Sequence, residues 1–82
     1  RDSVLTMEQA LERMRGLIGF MGDWTDIASY LPDGWSEDPK KWKSATASTF
    51  AASLELAKEG KIEIWQDSIF SPIQIRKRAN SD

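Results

Sequence analysis

The sequence predicts a mainly α-helical domain that ends in a small β-hairpin, and three observations support this. Residues 7–21 carry apolar side chains at three-and-four spacing, which is typical of a helix with one buried face. Residues 39–59 continue a helical pattern that begins with Pro39 and is closed by Gly60. Two short segments after Gly60 alternate apolar and polar residues, which indicates strands with one apolar face.

The composition limits the function classes before any motif is considered. The chain has 82 residues, enough for one small domain, and it contains neither cysteine nor histidine. Disulfides, thiolate metal sites and triads that need histidine are therefore excluded. The net charge of −2 gives no strong overall attraction to phosphate. Carboxylates are left as the only plausible ionisable side chains for catalysis or metal binding near neutral pH, and pairs such as Asp23 with Asp26 resemble no metal loop. We therefore expect a protein that is not an enzyme and that uses no cofactor and no metal.

The ends of the chain suggest part of a longer protein. The sequence starts abruptly with Arg1 and has no initiator methionine. No apolar run approaches the roughly 20 residues of a membrane span, and the start lacks a signal-peptide pattern. We expect a single domain at residues 6–78 with flexible ends at residues 1–5 and 79–82. A cytoplasmic location without membrane contact is the corresponding expectation.

The first half of the chain predicts two helices and a short strand. Thr6 and Gln9 have the spacing of a capping box, so a first helix should begin there. Its glycines predict an end between Arg15 and Phe20. After a turn, Trp24-Thr25 is a candidate strand and Asp26–Leu31 a second, short helix, which stops at the Pro-Asp-Gly turn. The predicted buried stripe of the first helix is Met7, Ala10, Leu11, Met14, Leu17, Ile18 and Met21.

The second half predicts a third helix and a hairpin. Asp38 caps a helix over residues 39–59, and the strands Lys61–Asp67 and Pro72–Arg78 flank the loop Ser68–Ser71. The order helix, short strand, helix, helix, hairpin is that of a winged helix-turn-helix domain, with three helices and a C-terminal wing.

The outward face of the third helix indicates protein contact more than base recognition. A core face centred on Thr46, Thr49 and Ser53, with Leu56 and Ala57, leaves mostly small residues outside. A helix that reads base edges is expected to present arginine, asparagine or glutamine there. Phe50 and Leu54 fall at the edge of the core face, where each side chain either completes the core or contacts a partner. The predicted outward residues are Lys40, Ser44, Ala47, Ser48, Ala51, Glu55 and Lys58.

The hairpin adds two candidate contact residues. Trp65 points away from Ile62 and Ile64, so it either stacks on Arg76 across the strands or contacts a partner. Trp24, Trp35 and Trp42 are expected to be core or loop anchors. The basic run 76–78 is the best argument for nucleic acid, although three charges near a terminus form only a weak site.

The segment from Thr49 to Arg76 resembles the C-terminal end of kleisins, most closely bacterial segregation and condensation protein A (ScpA). Asp23–Pro32 is similar to a second pattern of that family, so the resemblance covers most of residues 6–78. Three features depart from the family pattern. Trp65 stands where the family often has a charged or polar residue, and Ile69 stands where it usually has a proline. Ala51 and Ala52 are smaller than the leucines that are common there. The matching positions are Phe50, Leu54, Glu55, Leu56, Lys58, Gly60, Gln66, Phe70, Ile73, Ile75 and Arg76.

The resemblance implies a module that docks on the ATPase head of an SMC protein and helps close a ring used in chromosome segregation and condensation. It implies ScpB as a complex member bound by upstream kleisin segments, nucleoid association, and only indirect or weak contact with DNA. The alternative is the DNA-binding winged helix of a transcription regulator. The residues expected to bind the SMC head are Ala47, Phe50, Ala51, Leu54, Lys58, Trp65 and Arg76.

Overall fold

Two α-helices pack beside a three-stranded antiparallel sheet in the computed structural model, which describes residues 4–79. The expected flexible ends, 1–5 and 79–82, lie mostly outside these residues. Leu5 is buried, and its carbonyl accepts a hydrogen bond from the Ser48 hydroxyl. The elements are α1 (Met7–Leu17), β1 (Thr25–Asp26), α2 (Pro39–Lys58), β2 (Ile62–Trp65) and β3 (Gln74–Lys77), with 3-10 helices at Ile18–Phe20, Ile27–Tyr30 and Trp35–Glu37.

Helix α1 begins and ends where the sequence predicts. The Thr6 hydroxyl accepts from the Gln9 backbone at 3.1 Å, and the Gln9 side-chain oxygen accepts from the Thr6 backbone at 3.0 Å, which is the capping box. The α-helix ends at Leu17 and tightens into the 3-10 helix Ile18–Phe20. The buried residues of the predicted stripe are Ala10, Met14 and Met21, while Leu11 and Ile18 pack partly against the core.

The predicted second helix is a single 3-10 turn. Asp26 is the second residue of β1 and also caps Ile27–Tyr30, its carboxylate accepting from the Ala28 backbone at 2.9 Å. Leu31 is already extended, and Pro32 follows it. The space between the strand and the proline therefore holds one tight turn, and residues 4–79 form two α-helices where the sequence predicted three.

Helix α2 is bounded by the predicted caps. The Asp38 carboxylate accepts from the Lys40 backbone at 3.0 Å, and Pro39 occupies the first turn. At the other end, Gly60 has a φ of 78°, and its N–H donates to the Ala57 carbonyl at 3.0 Å. The N–H of Lys61 donates to the Leu56 carbonyl at 2.9 Å, which completes a Schellman motif.

The core face of α2 is rotated from the predicted one. Thr46 and Ala57 were expected in its centre, yet both are partly exposed. Ala45 and Ala52 are fully buried instead, and small residues at these positions permit a close approach of the packed neighbours. The buried residues of α2 are Ala45, Thr49, Ala52, Ser53 and Leu56.

The predicted short strand joins the hairpin as a third strand of the sheet, one residue later than the predicted Trp24-Thr25. The two hairpin strands are shorter than the predicted Lys61–Asp67 and Pro72–Arg78. β3 lies between β1 and β2, with Thr25 opposite Ile75 and Ile64 also opposite Ile75 on the other side. Strand alternation turns Ile62 and Ile75 to the helices, where both are buried. Glu63, Trp65 and Arg76 consequently lie on the opposite face of the sheet. Among residues 4–79, neither helix combines the length and apolarity that a membrane crossing requires.

Candidate functional site

The exposed side of α2 carries five of the predicted partner-binding residues. Ala47, Ala51, Leu54 and Lys58 are three or four positions apart, so they share one face of the helix. The Leu54 side chain is 50 % exposed, and Ala47 and Lys58 are exposed beside it. We call Ala47, Phe50, Ala51, Leu54 and Lys58 the α2 surface.

Phe50 and Leu54 were each expected either to complete the core or to contact a partner, and the structure gives the two side chains different surroundings. Phe50 is partly buried and packs against the core cluster, so it serves the domain itself with most of its ring. Leu54 lies outside that cluster and leaves half of its surface open. Leu54 is consequently the apolar centre of the α2 surface.

Arg76 is the centre of the outer sheet face. Its Nε lies 2.7 Å from Glu63 Oε1, and its Nη1 lies 3.6 Å from Asp23 Oδ1. The guanidinium also lies 4.5 Å from the centre of the Trp24 ring, within cation–π range. The hydrogen bond to Glu63, followed by the nearby charges of Glu63 and Asp23, raises the pKa of Arg76. Asp23, Trp24, Glu63, Trp65 and Arg76 form what we call the outer sheet face.

Of the two alternatives for Trp65, the stack on Arg76 is wrong, and contact with a partner stays a prediction. The ring of Trp65 meets that of Trp24, with centroids 6.2 Å apart and planes inclined by 52°. Arg76 stacks on Trp24 instead. The pairing of Thr25 with Ile75 places Trp24 beside Arg76, a contact that depends on residues far apart in the chain.

The other tryptophans only partly match their expected role. Trp24 and Trp42 are exposed large apolar residues and do not belong to the core cluster. Trp35 packs against the core, and the Lys41 ammonium lies 5.7 Å from its ring centre. Trp35 alone of these three therefore anchors its loop on the core.

The seven predicted site residues do not form one surface. Five belong to the α2 surface, whereas Trp65 and Arg76 belong to the outer sheet face. The apolar side of the sheet packs on α2, and Trp65 and Arg76 point from its other side. A partner that touches all seven residues must therefore reach around the edge of the sheet.

A third exposed region was not predicted as a site. Phe70 is 94 % exposed at the hairpin loop, and Ile69 beside it is also exposed. With Trp42, Thr46 and Pro72, Phe70 lines a groove of about 330 Å³ between the loop and α2. Two apolar residues inside the serine-bounded loop are the sequence signal that could have revealed this region.

The exposed regions differ in the side chains that they offer to other molecules. In the part of the chain between residues 4 and 79, no three histidine, cysteine, aspartate or glutamate side chains cluster in a way that could hold a metal. The exposed regions offer apolar area, small residues that permit close approach, and charged groups at their edges.

Comparison with known proteins adds no relative. No protein-family model, no curated protein and no solved structure matches this chain significantly. The resemblance to kleisins accordingly rests on the sequence positions given above.

Proposed function

We propose that this chain is a non-catalytic interaction module of a bacterial kleisin, which docks on the ATPase head of an SMC protein. In this proposal it contributes to a ring that acts in chromosome segregation and condensation in the cytoplasm, at the nucleoid. ATP hydrolysis belongs to the SMC partner, and ScpB binds other segments of the kleisin.

The order of the elements supports a winged-helix fold for this module. α1, β1, a helical turn, α2 and the β2–β3 hairpin follow one another, and β3 completes the sheet between β1 and β2. In this assignment the 3-10 helix Ile27–Tyr30 takes the place of the second helix, and α2 is the third.

The exposure of Leu54 is the observation that carries the docking proposal. A half-exposed leucine stands on a well-formed helix beside Ala47 and Ala51, whose small side chains let a partner approach the backbone closely. Covering the open half of Leu54 contributes about 1 kcal/mol to binding, roughly half the value for complete burial of a leucine.

The DNA-binding alternative is less well supported by the charges. Arg76, the first residue of the basic run, is paired with Glu63 and Asp23, so much of its charge is already compensated. The α2 surface has one cation, Lys58, and no asparagine, glutamine or arginine. An affinity for duplex DNA that falls steeply as the salt concentration rises would favour this alternative.

Co-elution with the purified head domain of the SMC protein from the same organism tests the proposal. The native chain should co-elute, and Leu54→Arg should abolish co-elution, because the partner would have to bury an unpaired charge. Phe20→Arg is the matched control, since Phe20 is 87 % exposed in another region of the chain and its replacement should leave binding intact.

Two results would contradict the proposal once circular dichroism shows that both variants are folded. One is the absence of co-elution by the native chain together with a shift of duplex DNA. The other is equal co-elution of native and Leu54→Arg protein, which would remove the α2 surface from the interface.

A further inference from the structure

One side of the Trp65 ring on the outer sheet face stays open to other molecules. Trp65 is 51 % exposed, although its ring meets that of Trp24 with centroids 6.2 Å apart. The two ring planes are inclined by 52°, so Trp24 covers only part of the Trp65 indole. The contact with Trp24 therefore holds Trp65 in position without closing its surface.

The outer sheet face already holds one guanidinium group, that of Arg76. The Nε of Arg76 donates to the Glu63 carboxylate at 2.7 Å, and the guanidinium lies 4.5 Å from the centre of the Trp24 ring. A ring beside a carboxylate binds a planar cation, because the ring attracts the charge and the carboxylate oxygens accept from its N–H groups. Glu63 precedes Trp65 by two positions on the same side of β2, so the open indole also has a carboxylate beside it.

Acidic groups outnumber basic groups around Trp65. Asp23 and Glu63 share the single positive charge of Arg76, which leaves one negative charge uncompensated. Asp67 is exposed two positions beyond Trp65, and it takes part in none of the ion pairs that the structure describes. The surroundings of the open indole are therefore negative.

Asp26 adds a further carboxylate to the same region. Trp65 pairs with Gln74 on β3, and Gln74 pairs with Asp26 on β1, so the three residues form one row across the sheet. At about 4.8 Å between neighbouring strands, Asp26 lies roughly 10 Å from Trp65.

The other basic residues of the hairpin lie away from Trp65. Lys61 and Arg78 are opposite each other at the far end of the two strands, about 13 Å from the pair Trp65 and Gln74 at 3.3 Å per residue. Lys77 alternates to the inner side of the sheet. The charges around Trp65 therefore complement a cationic ligand and repel the phosphates of a nucleic acid.

We propose that the outer sheet face binds a basic segment of another protein, with an arginine side chain stacked on the open side of Trp65. The guanidinium lies over the indole, and its N–H groups donate to the carboxylates of Glu63 and Asp67. Arginine suits this site better than lysine, because its planar group can stack on a ring and bond to a carboxylate at the same time.

This site is separate from the proposed SMC contact. That contact is carried by Leu54 on α2, and α2 packs against the other side of the sheet. The inference consequently holds whether or not the chain binds an SMC head.

An NMR titration of the full 82-residue chain, labelled with ¹⁵N, tests this site. The ligand is the pentapeptide Gly-Arg-Gly-Arg-Gly with both ends blocked, so that its arginines are its only charges. The indole N–H signals of Trp65 and Trp24 and the backbone signals of β2 should shift and saturate, whereas those of Trp42 should stay in place. The matched control peptide carries citrulline, which has the size of arginine without its charge, and it should cause no saturable shift.

Variants of the chain should change the affinity for the peptide in a defined way. Trp65→Leu should reduce the affinity about two- to fivefold, the range for an exposed cation–π contact. Asp67→Asn should also reduce it, mainly at low salt. Trp42→Leu replaces another partly exposed tryptophan in a different region and should bind as the native chain does. Leu54→Arg should also bind normally, which separates this site from the proposed SMC contact.

Four results would overturn the inference once circular dichroism shows that the variants are folded. They are the absence of saturable shifts, equal shifts with the citrulline peptide, shifts centred on Trp42, and an affinity that neither Trp65→Leu nor Asp67→Asn changes. Trp65 signals that depend on protein concentration without peptide would assign the face to a second copy of this chain and would likewise contradict the proposal.

Discussion

The outer sheet face and the exposed side of α2 both display large side chains, yet they differ in what those side chains contact. On the sheet, Arg76 is paired with Glu63 and Asp23 and stacks on Trp24, while Trp24 meets Trp65. On α2, Leu54 lies outside the core cluster with half of its surface open. Exposure alone therefore does not identify an interface, because the exposed residues of the sheet already form ion pairs and ring contacts with one another.

This difference bears on two of the predicted contact residues. Trp65 and Arg76 have partners within the domain, so their conservative replacement should act first on stability. Leu54 is half exposed and contacts its own domain less, so its replacement should act first on binding of the SMC head. The following experiments test that division.

The largest effect is expected for Leu56→Ala, two positions from Leu54 on the core side of α2. Leu56 is fully buried, and deleting its side chain leaves a cavity, so the free energy of unfolding should fall by about 2–5 kcal/mol. Urea denaturation measures this loss. A loss no larger than that of Leu54→Ala would mean that the core face of α2 is assigned wrongly.

The next effect concerns the coupling between Trp24 and Trp65. A double-mutant cycle with Trp24→Leu and Trp65→Leu should give an interaction energy of about 0.5–1.5 kcal/mol, the range for aromatic pairs. Chemical denaturation of the four proteins supplies the cycle. Additive effects of the two changes would show that the rings are independent and would leave Trp65 free to serve a partner.

A smaller effect on stability is expected for Leu54→Ala. Half of the Leu54 side chain is in water and alanine favours the helix, so unfolding free energy should change by no more than about 0.5 kcal/mol. Binding of the SMC head should weaken in the same variant. Calorimetric melting measures the stability of the variant, and co-elution measures its binding. A loss of stability without a loss of binding would contradict the difference described between the two surfaces.

The smallest effect is expected from the exposed ion pair that joins α1 to the end of α2. The two terminal nitrogens of the Arg15 guanidinium, Nη1 and Nη2, each donate to one Glu59 carboxylate oxygen at 2.9 Å, and this hydrogen bonding holds the pKa of Glu59 below its usual value of 4.5. Because the folded-state pKa is lowered, the contribution is complete above pH 4.5 and is lost as the pH falls through the lower value.

Glu59→Gln tests that contribution. The difference in unfolding free energy between native and variant protein should be constant near neutral pH and shrink below pH 4.5. Added salt should also reduce it, since the pair is exposed to water. Urea titrations across the acidic range measure both trends, and a difference that grows with acid would contradict the assignment.

Local signals predicted the secondary structure well. The capping box at Thr6, the Asp38-Pro39 start of α2 and the left-handed Gly60 depend on neighbouring residues alone, and each appears as predicted. The alternation of Ile62 and Ile64 likewise predicted the inner face of the hairpin. The prediction of a second α-helix at Asp26–Leu31 was wrong. A strand before this segment and Pro32 after it leave room for one turn, and a helical pattern over so few residues is weak.

The candidate site was less predictable because it depends on contacts between distant residues. Arg76 stacks on Trp24 only because Thr25 pairs with Ile75, fifty positions later in the chain. The groove between Trp42 and Phe70 similarly joins the beginning of α2 to the hairpin loop. Helical periodicity did place Leu54 at the boundary of the core, where the structure leaves half of it exposed.

The central position of β3 also constrains the order in which the chain can fold. β1 and β2 each bond to β3 alone in the sheet, so neither has an antiparallel neighbour until residues 74–77 are available. During synthesis, α1 and α2 can meet first, whereas the sheet closes only after Lys77 has left the ribosome. A polypeptide that stops before Gln74 should therefore expose Ile62 and Ile64 and be prone to aggregation or proteolysis.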